Sequence, residues 1–254
     1  EESINTILEM AEYKKSGICQ VLIVTGCMAQ RYKEEIVQEI PEVDAVLGTT
    51  SYDDIVQALN EASAGKHFEE FKDINSLPED SGRRVITTGG HFGYLKIAEG
   101  CDKHCTYCII PSLRGNFRSV PEERLLAQAE YMASQGVKEL ILVAQETTVY
   151  GTDLYGKKTL HLLLRKLCQI KGIRWIRILY CYPEEIYDEL IQVMKEEKKI
   201  CHYLDLPIQH CSDRILKRMG RRTSKAQLVE IITKLRKEIP DIVLRTSLIT
   251  GFPG

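Results

Sequence analysis

Tyr94-LKIAEGCDKHCTYCI-Ile110 runs from a predicted strand, Tyr94 to Ala98, into a cysteine loop with only Glu99 and Gly100 between them. Cys101, Cys105 and Cys108 are separated by three residues and then two, and no fourth cysteine follows to complete a set. That spacing places three thiolates around one soft metal centre and leaves a coordination position without a protein ligand. Downstream, strand and helix patterns alternate. The further predicted strands are Glu139 to Ala144, Trp175 to Tyr180, Tyr203 to Leu206 and Val243 to Thr250, and the helices are Glu122 to Ser134, Leu160 to Ile170, Pro183 to Glu196 and Lys225 to Glu238. Near-continuous apolar strands such as Leu140-ILVA-Gln145, alternating with amphipathic helices, indicate α/β architecture with a parallel sheet covered by helices. Five strands are too few to close an eight-stranded barrel.

Two metal chemistries fit the trio by spacing: an iron–sulfur cluster, or a structural zinc completed by His104 in the same loop. Zinc sites more often use two CxxC-like pairs far apart in sequence, and no second pair exists here. The zinc reading would make the chain a non-catalytic binding module.

The bulk composition narrows the class. The 254 residues are 44% hydrophobic and 28% charged, as in an ordinary soluble protein of one or two domains. No run approaches an 18-residue membrane span, and nothing at the start reads as a signal peptide. Nine cysteines without an export signal point to a reducing compartment, so the cytoplasm is the expected location and no membrane partner is expected. A net charge of -2 gives no general attraction to phosphate backbones.

The first sixty residues read as a smaller α/β unit. A helix from Glu1 to Lys15, a strand at Gln20 to Thr25, a helix from Arg31 to Glu39, a short apolar run at Ala45 to Leu47 and a helix from Tyr52 to Leu59 follow in order. Cys27 lies in Thr25-GCMAQRY-Lys33, at the C-terminal end of a strand, where open α/β sheets collect ligands. Taken alone, a single cysteine there is more readily a small buried residue than a ligand. From Ala62 to His91 charged and turn residues dominate, which suggests a linker with at most one strand, Arg83 to Thr88. The expected divisions are residues 1–62, 63–91 and 92–254.

Polar residues gather where the later strands end. Gln145-ETTVYG-Thr152, Tyr180-CYPEE-Ile186, Leu206-PIQHCSD-Arg214 and Arg245-TSLITGFPG each follow or close a strand. Helix capping accounts for Pro183 and Ser212 but does not require Glu146, Gln209 and Ser247 at one rim. Lys217-RMGRR-Thr223 is the densest basic cluster, readable either as a helix end complementing its dipole or as a carboxylate site. Cys19, Cys168, Cys181, Cys201 and Cys211 share no spacing and read as core or loop thiols.

CxxxCxxC with Tyr107 before the last cysteine resembles the signature of the radical S-adenosylmethionine (SAM) superfamily. The resemblance implies an open partial barrel, in which Cys101, Cys105 and Cys108 hold three irons of a 4Fe-4S cluster and SAM chelates the fourth. It places Tyr107 beside the adenine, and Glu146, with Gln145 or Thr147, at the SAM amino group. Gln209, Arg245 and Ser247 become candidates for the carboxylate and ribose. Tyr94-LKIAEGCDKHCTYCIIPSLRGNFRSVP-Glu122 and Thr25-GCMAQRY together resemble the methylthiotransferases, whose N-terminal domain binds a second 4Fe-4S cluster, so the resemblance gives Cys27 a ligand role there.

Ala144-QETTVYG, Cys181-YPEEIYDELI, Tyr203-LDLPIQHCSD and Ile215-LKRMGRRT look most like the subgroup acting on ribosomal protein. That subgroup places a methylthio group on the β-carbon of an aspartate in the twelfth small-subunit ribosomal protein, with an electron donor such as a flavodoxin or ferredoxin. The relatives that modify adenosine in tRNA share the cysteine pattern and are the alternative. By the same resemblance, the first two cysteines of the N-terminal cluster would precede residue 1 and a β-rich domain would follow residue 254, so the chain is expected to be a fragment.

Overall fold

Ile23, Val24 and Thr25 form β1 (Ile23–Thr25) in the computed structural model, which describes residues 2–78 and 84–254. The chain divides into two units, Glu1–Arg83 with Ser112–Gly115, and Arg84–Pro111 with Asn116–Gly254.

In the first unit, α1 (Glu2–Lys15) precedes β1, and α2 (Cys27–Tyr32) and α3 (Glu34–Glu39) follow it. The single helix expected over Arg31 to Glu39 is thus broken at Lys33, whose φ of 38° is left-handed and cannot continue an α-helix. β2 (Ala45–Leu47), α4 (Ile55–Ser63) after a 3-10 turn at Tyr52–Asp54, and β3 (Phe68–Glu70) complete the unit. The strands pair in parallel in the order β1-β2-β3. Ile7, Ala11, Val24, Ile36 and Val46 bury one face of this sheet, and Leu47 with Ala58 of α4 the other. β3 falls inside the stretch expected to be a linker. Two of its three residues are glutamates at a sheet edge, so no apolar alternation announces it. Of the strand suggested for Arg83 to Thr88, Arg83 lies outside the described residues, and 84–88 form no strand.

The second unit is built on β4 (Phe92–Lys96), β7 (Glu139–Val143), β8 (Trp175–Ile178), β9 (Ile200–Asp205) and β10 (Val243–Arg245). They form an open, all-parallel sheet in the order β10-β9-β8-β7-β4. Strand order follows chain order without a reversal. Right-handed crossovers then put every connecting helix on the same face and curl the sheet toward a barrel. Those helices are α6 (Glu122–Ser134), α8 (Leu160–Cys168), α9 (Asp188–Glu196) and α11 (Lys225–Glu238). Leu160, Leu163, Leu164 and Leu167 of α8 repeat at helical spacing and are fully buried, whereas Leu162 on the opposite face is exposed. Ser224 and Gln227 cap the start of α11 reciprocally, each side chain accepting from the other's backbone N–H.

Leu140, Leu142, Ile176 and Ile178 are wholly buried, and the residues between them face the other side and are only partly covered. That second face carries Arg177, whose Nε donates to Glu139 Oε1 at 2.6 Å while the guanidinium lies 5.0 Å from the Tyr203 ring. Two expected elements differ. The helix at Pro183 to Glu196 is a 3-10 turn, Pro183–Glu185, followed by α9, and the strand at Val243 to Thr250 stops at Arg245. Beyond Arg245, pairing resumes only as an isolated parallel bridge between Gln209 and Leu248. Among the described residues no helix is long and apolar enough to cross a membrane.

Candidate active site

The chain leaves β4 through β5 (Ala98–Glu99), which pairs antiparallel with β6 (Arg118–Ser119), and turns at Gly100, φ 73°, into the cysteine loop. α5 (Ile110–Arg114) follows. Cys101 and Cys105 are buried and Cys108 is exposed. Cys108 N–H donates to Cys105 O at 2.9 Å, and Phe117 N–H donates to Asp102 Oδ1 at 2.9 Å, so the loop is closed on itself and tied down on one side.

The C-terminal end of α10 (Asp213–Arg218) clamps the other side. Thr106 donates its N–H to Met219 O at 3.0 Å and its hydroxyl to Arg218 O at 3.1 Å. Gly220 lies so close that a Cβ there would sit 2.9 Å from His104 O, and its φ of 71° suits glycine in any case. The basic cluster is therefore neither only a solvated helix end nor only a charge patch. Its backbone holds the loop.

Burial pushes the Cys101 thiol up to about 11, with Glu146, Cys105 and Cys108 adding to the rise and the Lys103 N–H opposing it. Neighbouring thiols that disfavour each other's ionisation need a compensating cation to become ligands, and a metal cluster supplies one. Among the described residues no group of three or more His, Cys, Asp or Glu side chains converges as closely as a single ion requires.

Glu146 follows β7 and is 1% exposed. Its Oε1 accepts from the Thr148 N–H at 3.0 Å, from the Thr148 hydroxyl and from the Tyr182 N–H at 3.4 Å. Its Oε2 is buried without a partner, as is Gln145 Oε1. Burial raises the Glu146 carboxyl to about 7, against the Thr148 bonds and the Lys103 charge, which lower it. A cavity of about 150 Å³ joins Glu146 to Cys101, Asp102, Lys103, Phe117 and Arg222. Lys103 pairs with Glu185, which Lys158 also holds at 2.8 Å, so Arg222 is the other cation at this cavity.

The remaining expected residues divide. Thr147 gives its hydroxyl to Leu179 O at 2.8 Å and Tyr180 O at 3.1 Å, which fastens the end of β8 instead of lining the cavity. Gln209 adopts φ 67° and is locked by Ser247 O and the Ile249 N–H, both at 2.9 Å. Arg245 Nη1 donates to Asp205 Oδ1 at 2.8 Å. Neither these two nor Ser247 lines the Glu146 cavity. Tyr107 packs edge-on to Phe252 at 6.5 Å, and burial pushes its phenol up.

Tyr182 and Arg221 were not singled out in the sequence. Tyr182 Oη lies 3.4 Å from Cys105 Sγ, and the Arg221 guanidinium sits over the Tyr182 ring at 4.2 Å. The available signal was position alone, a tyrosine after β8 and an arginine in the basic cluster. Cys168 and Cys181 are buried, with thiols pushed up by desolvation, as core cysteines are.

In the first unit Cys27 opens α2 after Gly26, whose φ is 98°. Its sulfur accepts from Arg114 Nε at 3.1 Å. It borders a cavity of about 490 Å³ lined also by Ile7, Met10, Val24, Thr25 and Met28.

Residues 95–254, well over half of the chain, match the radical SAM superfamily. The chain belongs to that superfamily. Residues 1–48 match the uncharacterized protein family UPF0004. Over its whole length the chain is 71% identical to the ribosomal protein uS12 methylthiotransferase RimO of Lachnoclostridium phytofermentans and covers 58% of that protein. It is 52% identical to the protein of the same name from Clostridium botulinum, covering 57% of it.

Solved radical SAM structures share the fold. The cobalamin-dependent SAM radical enzyme OxsB with aqua-cobalamin bound superposes with a TM-score of 0.66 at 17% identity, over 97% of this chain and 39% of that one. The radical SAM methyltransferase TsrM from Kitasatospora setae superposes at 0.52 and 16% identity, over 64% and 32%. The expected α/β radical SAM architecture with parallel strands is the one observed.

Proposed function

We propose that the protein is a radical SAM methylthiotransferase that places a methylthio group on the β-carbon of an aspartate in ribosomal protein uS12. The observation that carries the chemistry is the buried, unpartnered Glu146 Oε2 in the same cavity as Cys101. An amino-acid ammonium is the partner such an oxygen lacks. The substrate is supported by the 71% identity to a uS12 methylthiotransferase, and nothing favours the tRNA adenosine alternative or the zinc module.

Cys101, Cys105 and Cys108 would hold a 4Fe-4S cluster with one iron left for SAM, and Cys27 would be one thiolate of a second cluster. Bound there, cluster and SAM supply reductive cleavage of the sulfonium and abstraction of hydrogen from an unactivated carbon.

The chain's own groups position that chemistry. Glu146 receives the ammonium on Oε2 while Thr148 and Tyr182 fix Oε1. Arg222 brings a cation to the same cavity for the ligand's carboxylate, a task for which Gln209, Arg245 and Ser247 are the candidates by resemblance. Glu185 engages the Lys103 and Lys158 ammoniums and so leaves Glu146 the carboxylate open to a ligand. Phe117 gives the cavity an apolar wall beside Cys101 and Glu146. A flavodoxin or ferredoxin would supply the electron, in the cytoplasm.

The test offers the reduced full-length protein SAM together with either uS12 or tRNA. The expected result is a uS12 aspartate heavier by a methylthio group less one hydrogen. Modification of tRNA alone would refute the substrate assignment.

A further inference from the structure

Arg221 is buried at a cost that the fold does not explain. Its side chain is 1% exposed, its Nη2 reaches Glu184 Oε2 at 3.2 Å and Pro207 O at 3.4 Å, and its Nε is buried without a partner. An orphaned buried donor is costly, and a buried ion pair returns little net stability. The guanidinium instead lies over Tyr182, 4.2 Å from the ring centroid, and that ring carries its hydroxyl to 3.4 Å from Cys105 Sγ. Lys103 stands over the same ring at 5.3 Å. Two cations therefore polarise one phenol whose only hydroxyl points at one of the three thiols of the cysteine loop.

Once Cys105 is a thiolate on iron it has no proton to give, so the hydroxyl must be the donor. A hydrogen bond to a ligating sulfur withdraws electron density and favours the reduced, more negative cluster. Cations above the ring sharpen the phenol as a donor, and the nearby buried Arg221 charge acts in the same direction.

We propose that Tyr182, backed by Arg221, is a positioning residue that donates to the Cys105 sulfur and raises the reduction potential of the cluster held by Cys101, Cys105 and Cys108. The inference rests on the cluster reading above and adds the means by which the protein sets its potential.

The test is an anaerobic redox titration, followed by electron paramagnetic resonance, of the full-length protein in a Cys27→Ala background, so that only the radical-domain cluster reports. Tyr182→Phe is expected to retain iron and sulfide and to shift the midpoint potential to more negative values. Arg221→Gln is expected to shift it in the same direction, and Arg221→Lys to restore most of the shift. If Tyr182→Phe retains its iron at an unchanged potential, the inference is overturned. If that variant loses its iron, the Arg221 pair decides: a negative shift in Arg221→Gln reversed by Lys upholds the inference, and identical potentials overturn it. A parent protein with no reducible cluster signal, or a signal that survives Cys105→Ala, would refute the cluster reading itself instead.

Discussion

Replacing Glu146 by Gln separates what this carboxylate costs the fold from what it gives a ligand. Oε1 already accepts every donor available, and Oε2 has none, so the amide fits with its oxygen in place of Oε1 and its NH2 turned into the cavity. Burial raises the carboxyl from 4.5 to about 7. Between those values the folded protein keeps a proton that the unfolded chain has lost, so stability falls as pH rises, and the loss is complete above the folded value. For a fully buried group that displacement corresponds to about 3 kcal/mol.

Glutamine carries no such penalty. Cluster-free Glu146→Gln should therefore exceed the parent in stability by up to about 3 kcal/mol at about pH 8.5 and match it near pH 4.5, measured by urea unfolding at both. Binding of SAM should move the opposite way. Loss of a charge-assisted hydrogen bond of about 1.5–3 kcal/mol weakens the dissociation constant about 10- to 100-fold, read by calorimetry on the reconstituted protein. A variant destabilised equally at both pH values would refute the buried-charge account. Unchanged SAM affinity would refute the ligand assignment.

Cys105→Ala should abolish SAM-dependent 5′-deoxyadenosine formation and reduce bound iron, and undiminished formation would sink the site assignment. Gly220→Ala combines a φ of 71° with a Cβ 2.9 Å from His104 O. It should cost about 1–3 kcal/mol in urea unfolding and lower the iron retained by the cysteine loop, and a neutral result would show that the clamp is not tight.

Regular elements were most legible where burial imposes a period. Helices Glu122–Ser134 and Lys225–Glu238 and the start of Leu160–Cys168 stand where the apolar spacing puts them. Two of the misses share a cause: backbone that departs from a period. Lys33, at φ 38°, breaks a helix whose side-chain pattern continues through it. The strand after Val243 ends at Arg245 because the next residues pair only through Gln209, itself at φ 67°.

The sequence by itself determined the parallel α/β scaffold and the cysteine trio, because periodicity and short-range spacing are local properties of the chain. It also brought Glu146 to attention, since strand ends can be counted along one dimension. Only the tertiary structure decided which polar groups meet there. Thr147 turns to β8, Arg245 turns to Asp205, and Arg221 and Tyr182 arrive at Cys105 from positions 116 and 77 residues away. Such meetings depend on crossover handedness, on left-handed turns at Tyr180 and Gln209, and on which buried polar atoms remain unsatisfied. None of these is encoded in a window of neighbouring residues, and each follows from packing the whole sheet.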